Sequence, residues 1–564
     1  MVLAANTSLR LDANWVDYLL IATYFVFVLG IGIMAKRAVS TSLDFFLSGR
    51  SLPAWVTGLA FISANLGAVE ITGMSTNGAQ FGIPTVHYFW IGAVPAMLFL
   101  GIVMMPFYYG SKVRSVPEFM RKRFGTGAHL VNALSFALAQ LLIAGINLYL
   151  LANIVEVMLG WKLWISLIVA ASIVLTYTTL GGLSAAIYNE VLQFFVIVAA
   201  LLPLTLIGLA KVGGYSGLKA KILHGAGGQD HLSSWPGTNL TAISSPLLSV
   251  IGIVFGLGFV LSFGYWTTNF VEVQRAMASK SISAAQRAPI IGAFPKMFVP
   301  FIVIFPGMIA AVLVNEIATP AKGAAPDYKN ALLYLIRDLL PNGMLGLAIA
   351  GLLASFMAGM AANISAFNTV FSYDLWQTYV KKDRPDGYYL AVGRWATLGA
   401  TVIAIGTATF AASYSNIMNY LQTLFGFFNA PLFATFILGM FWKRMTATAG
   451  WTGLVSGTAA AVLVGVLSKD ALGGLSTGAI GLSGQGASFA AAGAAFVVDV
   501  LVSVLVTIVT RPREESELRG LVYSLTPRAD FHDAGEGVVA WYQQPTKLAG
   551  IGLVMVIVLN IIFW

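Results

Sequence analysis

The chain has 564 residues, 58% of them hydrophobic and only 10% charged, with a formal net charge of +9 and no cysteine. Soluble domains run nearer 25% charged, so the composition reads as a polytopic helical membrane protein. The missing cysteines exclude disulfides, thiol catalysis and cysteine-ligated metal centres. Apolar runs of about 20 residues, long enough to cross a bilayer as helices, recur from end to end. The basic residues lie in short loops between these runs, so the positive charge reports membrane topology and no nucleic-acid partner is expected. The five histidines form no HExxH pattern. No GxxxxGK[ST] loop is present, which argues against ATP-driven transport and against an enzyme of that class.

The first span covers 14–36 as a leading helix, flanked by Arg10 and Asp12 before it and by Lys36 and Arg37 after it. It is too long and wrongly flanked for a cleaved signal peptide, so its N-terminus is placed outside. Spans are then expected at 53–76, 83–109, 128–158, 161–180 and 187–212, and again at 246–274, 288–316, 342–378, 389–413 and 417–442. Three more, at 448–468, 486–510 and 547–564, complete a set of fourteen. Alternate loops should then be cytoplasmic, and these hold 22 of the 32 lysines and arginines, as the positive-inside rule requires.

The span at 57–76, TGLAFISANLGAVEITGMST, is poorly suited to an unbroken helix. Ser63 to Gly67 are mostly small or polar, and Glu70 follows. A carboxylate at mid-bilayer costs about 2.5–3.5 kcal/mol on insertion scales and points to function. Helical backbone breaks in a membrane only where protein or a watery cavity satisfies it, and broken helices mark the binding sites of secondary transporters. A tightly packed, unbroken helix is the plainer alternative. Glu190 opens a later span, either as an ion or gating residue or as a carboxylate favoured by a helix N-terminus. A second interruption is expected within 251–274, where Gly256, Gly258 and Gly264 weaken the helix and Tyr265 and Trp266 follow. It comes five spans after the first, the pattern of inverted-repeat transporters.

Lys296, in IIGAFPKMFVPF, is an ammonium inside a span and needs a carboxylate, carbonyls or a hydroxyl-rich ligand unless it snorkels to the surface. Gln422, in NYLQTLFGFF, could contact a ligand or bond a neighbouring helix. Between spans, 327–341 carries apolar positions at helical spacing and is expected along the outer surface. Residues 213–245 show no period, and 511–546 is charged and peripheral, too short for the signalling domain that a solute sensor would carry.

Longer strings carry a resemblance. DFFLSGRSLPAW, SVPEFMRKRFG, TLGGLSAAIYNEVLQ, QRAMASKSISAAQ, PGMIAAVL and ILGMFWKR occur in the order of the solute:sodium symporters, and the chain most resembles their sodium/glucose cotransporter branch. The resemblance implies an all-α, LeuT-like fold of five plus five inverted helices, with one helix before and three after. The first repeat would cover 53–212, the inverted second repeat 246–442 and the peripheral helices 448–564. It further implies cation-coupled uptake of a small solute, most simply a monosaccharide with Na⁺, across the plasma membrane. Compact loops suggest a bacterial inner membrane.

By position, Lys296 and Gln422 match residues that bond sugar hydroxyls, and Tyr265 matches the inner aromatic gate, beside Trp266. Glu70 falls where the branch carries an amide, and Ser262 where it often carries asparagine. Met74 and Tyr88 complete the candidate substrate set. A ring of hydroxyls needs donors, acceptors and a flat aromatic face, which this set supplies. Two departures stand out. Phe89 replaces the branch's sugar-binding glutamate, so the sugar or its orientation is expected to differ. The family's sodium site draws carbonyls from the first break, here Ser63 and Leu66, and oxygens from the eighth core helix. There Ser355 stands in place of an alanine, and Ala358 and Gly359 replace a hydroxyl pair. Asn363 or Ser365 could contribute only if that helix rotated. A proton carried by Glu70 or Glu190, with His87 close by in sequence to Glu70, is therefore the alternative to sodium. Uncoupled sugar transport, or a sodium symporter for another small solute, is also compatible with the fold.

Overall fold

A computed structural model describes residues 9–564 except 38, 68, 226, 236–237, 321–323, 412–416, 470–475 and 532–539. The described residues form helices and no strand. α1 (Trp15–Lys36) starts at Asn14, whose side chain accepts from Val16 and Asp17 backbone N–H groups in a capping box with Asp17. α2 (Ala54–Asn65) and α3 (Val69–Phe81) form one bent span. They are followed by α4 (Ile83–Gly110), α5 (Thr126–Leu159), α6 (Leu163–Val212) and α7 (Pro246–Thr268). Short α8 (Phe270–Met277) leads to α9 (Ile282–Leu313), α10 (Ala331–Leu339), α11 (Met344–Val380) and α12 (Asp386–Thr409). The chain closes with α13 (Ile417–Phe441), α14 (Ala447–Leu467), α15 (Gly484–Val509) and α16 (Pro545–Ile562).

Twelve of the described helices are long and apolar enough to span a bilayer, and the bent pair α2–α3 adds a thirteenth. α6, with 50 residues, would reach about 75 Å at 1.5 Å per residue, more than twice the thickness of a bilayer core. It is two arms joined at Gly182, whose φ of 53° and ψ of −144° break the helix. A Cβ there would lie 2.5 Å from the Phe45 carbonyl oxygen, so glycine is required both for conformation and for space. With α6 counted as two arms, the span number matches the fourteen read from hydropathy.

Burial locates the centre of the bundle. The most apolar stretch of α11 is 89% buried, against 11% for α16 at the periphery. α11 packs on α5 and α6, while α9 packs on α2, α3 and α6. Asp17 fastens α1 to this centre by accepting the backbone N–H groups of Gly343 and Gly346 at 2.7 and 2.6 Å, where α11 begins.

Three local expectations are corrected. α10 does not lie along the outer surface: Ala331 to Ile336 are all buried, because α10 packs against α9, α6 and α3. Within 213–245, Gly214–His224 is helical despite its glycines. Regular α-helical pairing is interrupted at Gly256 and Gly258, where Gly252–Ser262 winds as a π-helix, but the chain does not leave the helix at the glycines of α7. Gly256 and Gly264 instead allow close packing, since a Cβ would come within 2.8 Å of the Phe489 carbonyl oxygen and 3.0 Å of that of Asn429. The chain breaks at Asn269, in extended backbone (φ −71°, ψ 115°), and the Asn269 side chain restarts the helix by accepting the Val271 N–H at 3.0 Å.

Candidate functional site

Ser63, Asn65 and Gly67 are weak helix formers within the run Ser63-Ala64-Asn65-Leu66-Gly67, and α2 ends at Asn65. Leu66 leaves helical geometry (φ −71°, ψ 46°), and α3 departs at 57° to α2. Two breaks, at Leu66 and Asn269, thus face one another across the bundle. Between them lies a cavity of about 110 Å³, and small-molecule sites characteristically occupy such clefts between helices. Its wall is apolar on most sides, with Phe89, Trp266, Phe425 and Met418, and carries a few converging polar groups.

Lys296 organises those groups. Only 1% exposed, it projects from α9 and donates to the Glu70 carboxylate and to Asn65 Oδ1. Its ammonium also lies 4.8 Å from the Phe89 ring centre and 5.2 Å from that of Trp266. Asn65 turns its amide N–H to the Tyr265 hydroxyl at 3.0 Å, and Tyr265 donates to Glu272 at 2.6 Å. One hydrogen-bonded chain, Glu70–Lys296–Asn65–Tyr265–Glu272, thus joins both breaks. Beyond it, Arg275 grips Glu190 through two nitrogens at 2.6 and 3.3 Å.

The cavity brings together Glu70, Met74, Tyr88, Ser262, Tyr265, Trp266, Lys296 and Gln422 from five separate helices. Lys296 does not snorkel. The Tyr88 hydroxyl bonds Gln485 at the start of α15, so the peripheral helices reach the site. The Gln422 amide makes only a 3.5 Å contact to Met418 sulfur. Phe89 lines the same wall and presents its face to the ammonium. Glu190 lies outside the cavity lining and is consumed by Arg275. His87 is also outside: it bonds the Ser234 carbonyl at 2.8 Å and packs on Trp235, remote from any relay with Glu70.

Around the first break, the Ser355 hydroxyl donates to the Leu66 carbonyl at 2.6 Å, which brings these two candidate ion ligands together. The Ser63 hydroxyl is buried without a hydrogen-bond partner. Ala358 is buried in α11 and adds no side-chain oxygen, while Gly359 faces the cavity. Asn363 bonds the Gly359 carbonyl at 2.7 Å, and Ser365 is buried farther along the helix. Sequence reasoning missed Asn147 on α5. Its Oδ1 is buried and unpartnered, and a Cβ built on Gly359 would lie 2.8 Å from it, one on Gly67 3.1 Å. The amide oxygen therefore occupies space into which a serine at 359 would project. Glu272 was missed as well.

A family model described as the sodium:solute symporter family matches residues 45–457. The chain belongs to the sodium:solute symporter family. It is therefore a membrane transporter and not an enzyme. Similar curated relatives are a sodium/glucose cotransporter of Vibrio parahaemolyticus, 28% identical over 78% of this chain and 84% of the relative, and sodium/glucose cotransporter 4 of Danio rerio, 30% identical over 78% and 70%. Human sodium/myo-inositol cotransporter 2 is 28% identical over 78% of this chain and 68% of its own. Among solved structures, a Na⁺-coupled sialic acid symporter in a substrate-bound outward-open state superposes with a TM-score of 0.75 at 18% identity, covering 89% of this chain and 99% of that one. The architecture of this symporter is the LeuT-like five-plus-five inverted repeat.

Proposed function

We propose that this symporter takes up a small polyhydroxylated solute, a monosaccharide or close analogue, together with Na⁺ by alternating access. The observation that carries the reading is the cluster of Lys296, Glu70 and Asn65, which offers both donors and acceptors beside the aromatic faces of Phe89 and Trp266. Hydroxyls can exchange with either member of that cluster, and a sugar ring face suits the aromatic wall. A carboxylate substrate fits less well, because Glu70 would repel it. Relative to the glucose branch, the site's acid stands at the first break instead of on the next helix, where Phe89 is. The sugar is therefore held in another orientation or is another polyol.

The coupling ion would sit against the Leu66 carbonyl, with the free oxygens of Ser63 and Asn147 standing in for the hydroxyls absent at Ala358 and Gly359. One charge falling through 100 mV supplies about 2.3 kcal/mol, or roughly fifty-fold accumulation per cation. A second reading, proton-coupled or uncoupled transport, draws on the same departure, since the Leu66 carbonyl is already engaged by Ser355. The bacterial inner membrane is the proposed location. The test is uptake of labelled D-glucose, D-galactose and myo-inositol into proteoliposomes, with either a sodium or a proton gradient imposed. Sodium-driven accumulation of one of them is expected. Accumulation driven by protons alone would overturn the sodium assignment, and no uptake of any polyol would overturn the substrate class.

A further inference from the structure

Five charged side chains cluster from the cavity towards α8: Glu70 with Lys296, Glu190 with Arg275, and Glu272. Three are carboxylates and two are cations. Arg275 is spent on Glu190, on the Val271 carbonyl and on the Gln274 side chain. Lys296 is spent on Glu70 and Asn65. Glu272 is left over. It is fully buried, its Oε1 accepts from the Tyr265 hydroxyl at 2.6 Å, and its Oε2 is buried with no hydrogen-bond partner. The charges that reach it are Arg275 from its own helix and Lys296 from α9, which attract, and Glu190 from α6, which repels.

An ionised carboxylate with one bare oxygen in a low-dielectric interior is costly unless a cation joins it. The start of α8 offers some compensation from its dipole, a small effect beside desolvation. A metal cation would need several oxygens around Oε2, and the one hydrogen-bonding partner of this carboxylate, the Tyr265 hydroxyl, is on the other oxygen. A proton needs none. We propose that Glu272 binds one proton, and that this proton sets the strength of the Tyr265 latch beneath the substrate cavity.

The step adds H⁺ to Oε2 and breaks no other covalent bond. Oε1 then changes from a carboxylate oxygen to a neutral carbonyl oxygen, and charge-assisted hydrogen bonds are about twice as strong as neutral ones. Tyr265 holds the inner wall by bridging Asn65 to Glu272 while its ring packs on Phe425, with centroids 4.7 Å apart. Loss of the charge loosens that bridge and frees the ring to swing. The consequence for solute release rests on the transport reading above, but the proton site itself does not.

Infrared difference spectroscopy of the reconstituted protein, titrated over pH with and without Na⁺, tests the site without any solute. The wild type should show a protonated-carboxyl C=O band that disappears at high pH, is missing in Glu272→Gln and ignores Na⁺. Tyr265→Phe should shift the band, because the carbonyl loses its donor. If Glu272→Gln does not fold, Glu272→Asp must move the band. The proposal is overturned if the band survives Glu272→Gln or is unmoved by Glu272→Asp. A wild type without the band, or discharge of the band by Na⁺, would overturn it equally. Failure of every polyol in the uptake assay would remove the substrate reading and leave this result standing.

Discussion

Removing either half of the Lys296–Glu70 pair should cost far more than removing both. Lys296 is 1% exposed and the Glu70 side chain 11%, so each is stranded without the other. Breaking a buried pair by deleting one partner costs about 3–5 kcal/mol, whereas replacing both with neutral groups is often nearly free. The two single losses should also differ. In Glu70→Gln the ammonium keeps Asn65 and the faces of Phe89 and Trp266, and cation–π contact retains about 0.5–2 kcal/mol. In Lys296→Met the carboxylate loses the one side-chain hydrogen bond that the structure gives it. Thermal unfolding in detergent should therefore rank Lys296→Met lowest and Glu70→Gln next, with the double variant near wild type. With the loss in the double variant near zero, the coupling equals the sum of the two single losses and should be at least about 4 kcal/mol, and all three variants should lose concentrative uptake. A double variant less stable than either single one would refute the pairing argument. Undiminished transport by Lys296→Met would remove this lysine from the site.

Two other perturbations probe the flanks of the cavity. Gly359→Ser places a Cβ 2.8 Å from Asn147 Oδ1; it should lower sodium-driven uptake several-fold, and adding Asn147→Ala should restore part of it. No rescue in that double variant would mean that the two positions do not share one site. Arg275→Gln strands Glu190 and should reduce stability by about 3–5 kcal/mol, seen as a lower unfolding temperature. Arg275→Lys should recover only part of this, because an ammonium cannot reproduce the two-point grip.

What could be read from the sequence follows the cost of each residue in a membrane. Lys296 and Glu70 were visible because a charge within an apolar run has few harmless explanations. The first break was visible because three weak helix formers, Ser63, Asn65 and Gly67, stood close to that charge. Glycine is a poorer guide, as α7 shows. There the glycines admit Phe489 and the α13 backbone and the turns widen to a π-helix over Gly252–Ser262, while the full break falls at Asn269, a residue that caps the next helix. Glu272 was hidden by position: it stands at the end of the expected span 246–274, three residues before Arg275, where a charge is unremarkable. Asn147 was hidden by company, since α5 also carries Asn132, Gln140 and Asn153. Only the approach of Gly67 and Gly359 to its oxygen distinguishes it.

The two ion pairs and the tyrosine latch divide the labour of holding this bundle together. Lys296–Glu70 ties α9 to α3 across the cavity, whereas Arg275–Glu190 ties α8 to α6 outside it. A polyol that draws Lys296 or Glu70 into its own hydrogen bonds weakens the first tie and leaves the second intact. Because Asn65 bonds both Lys296 and Tyr265, any shift of the ammonium towards a solute also pulls on the latch. On the two proposals above, solute at the Lys296 end of the chain and a proton at Glu272 would act on one tyrosine from opposite sides. If that is so, Asn65→Ala should leave Tyr265 held by Glu272 alone. Its signature would be a rate of solute release that depends on pH but no longer on which polyol is bound. Release from Asn65→Ala that still tracks the polyol would show that the solute reaches the latch by another route.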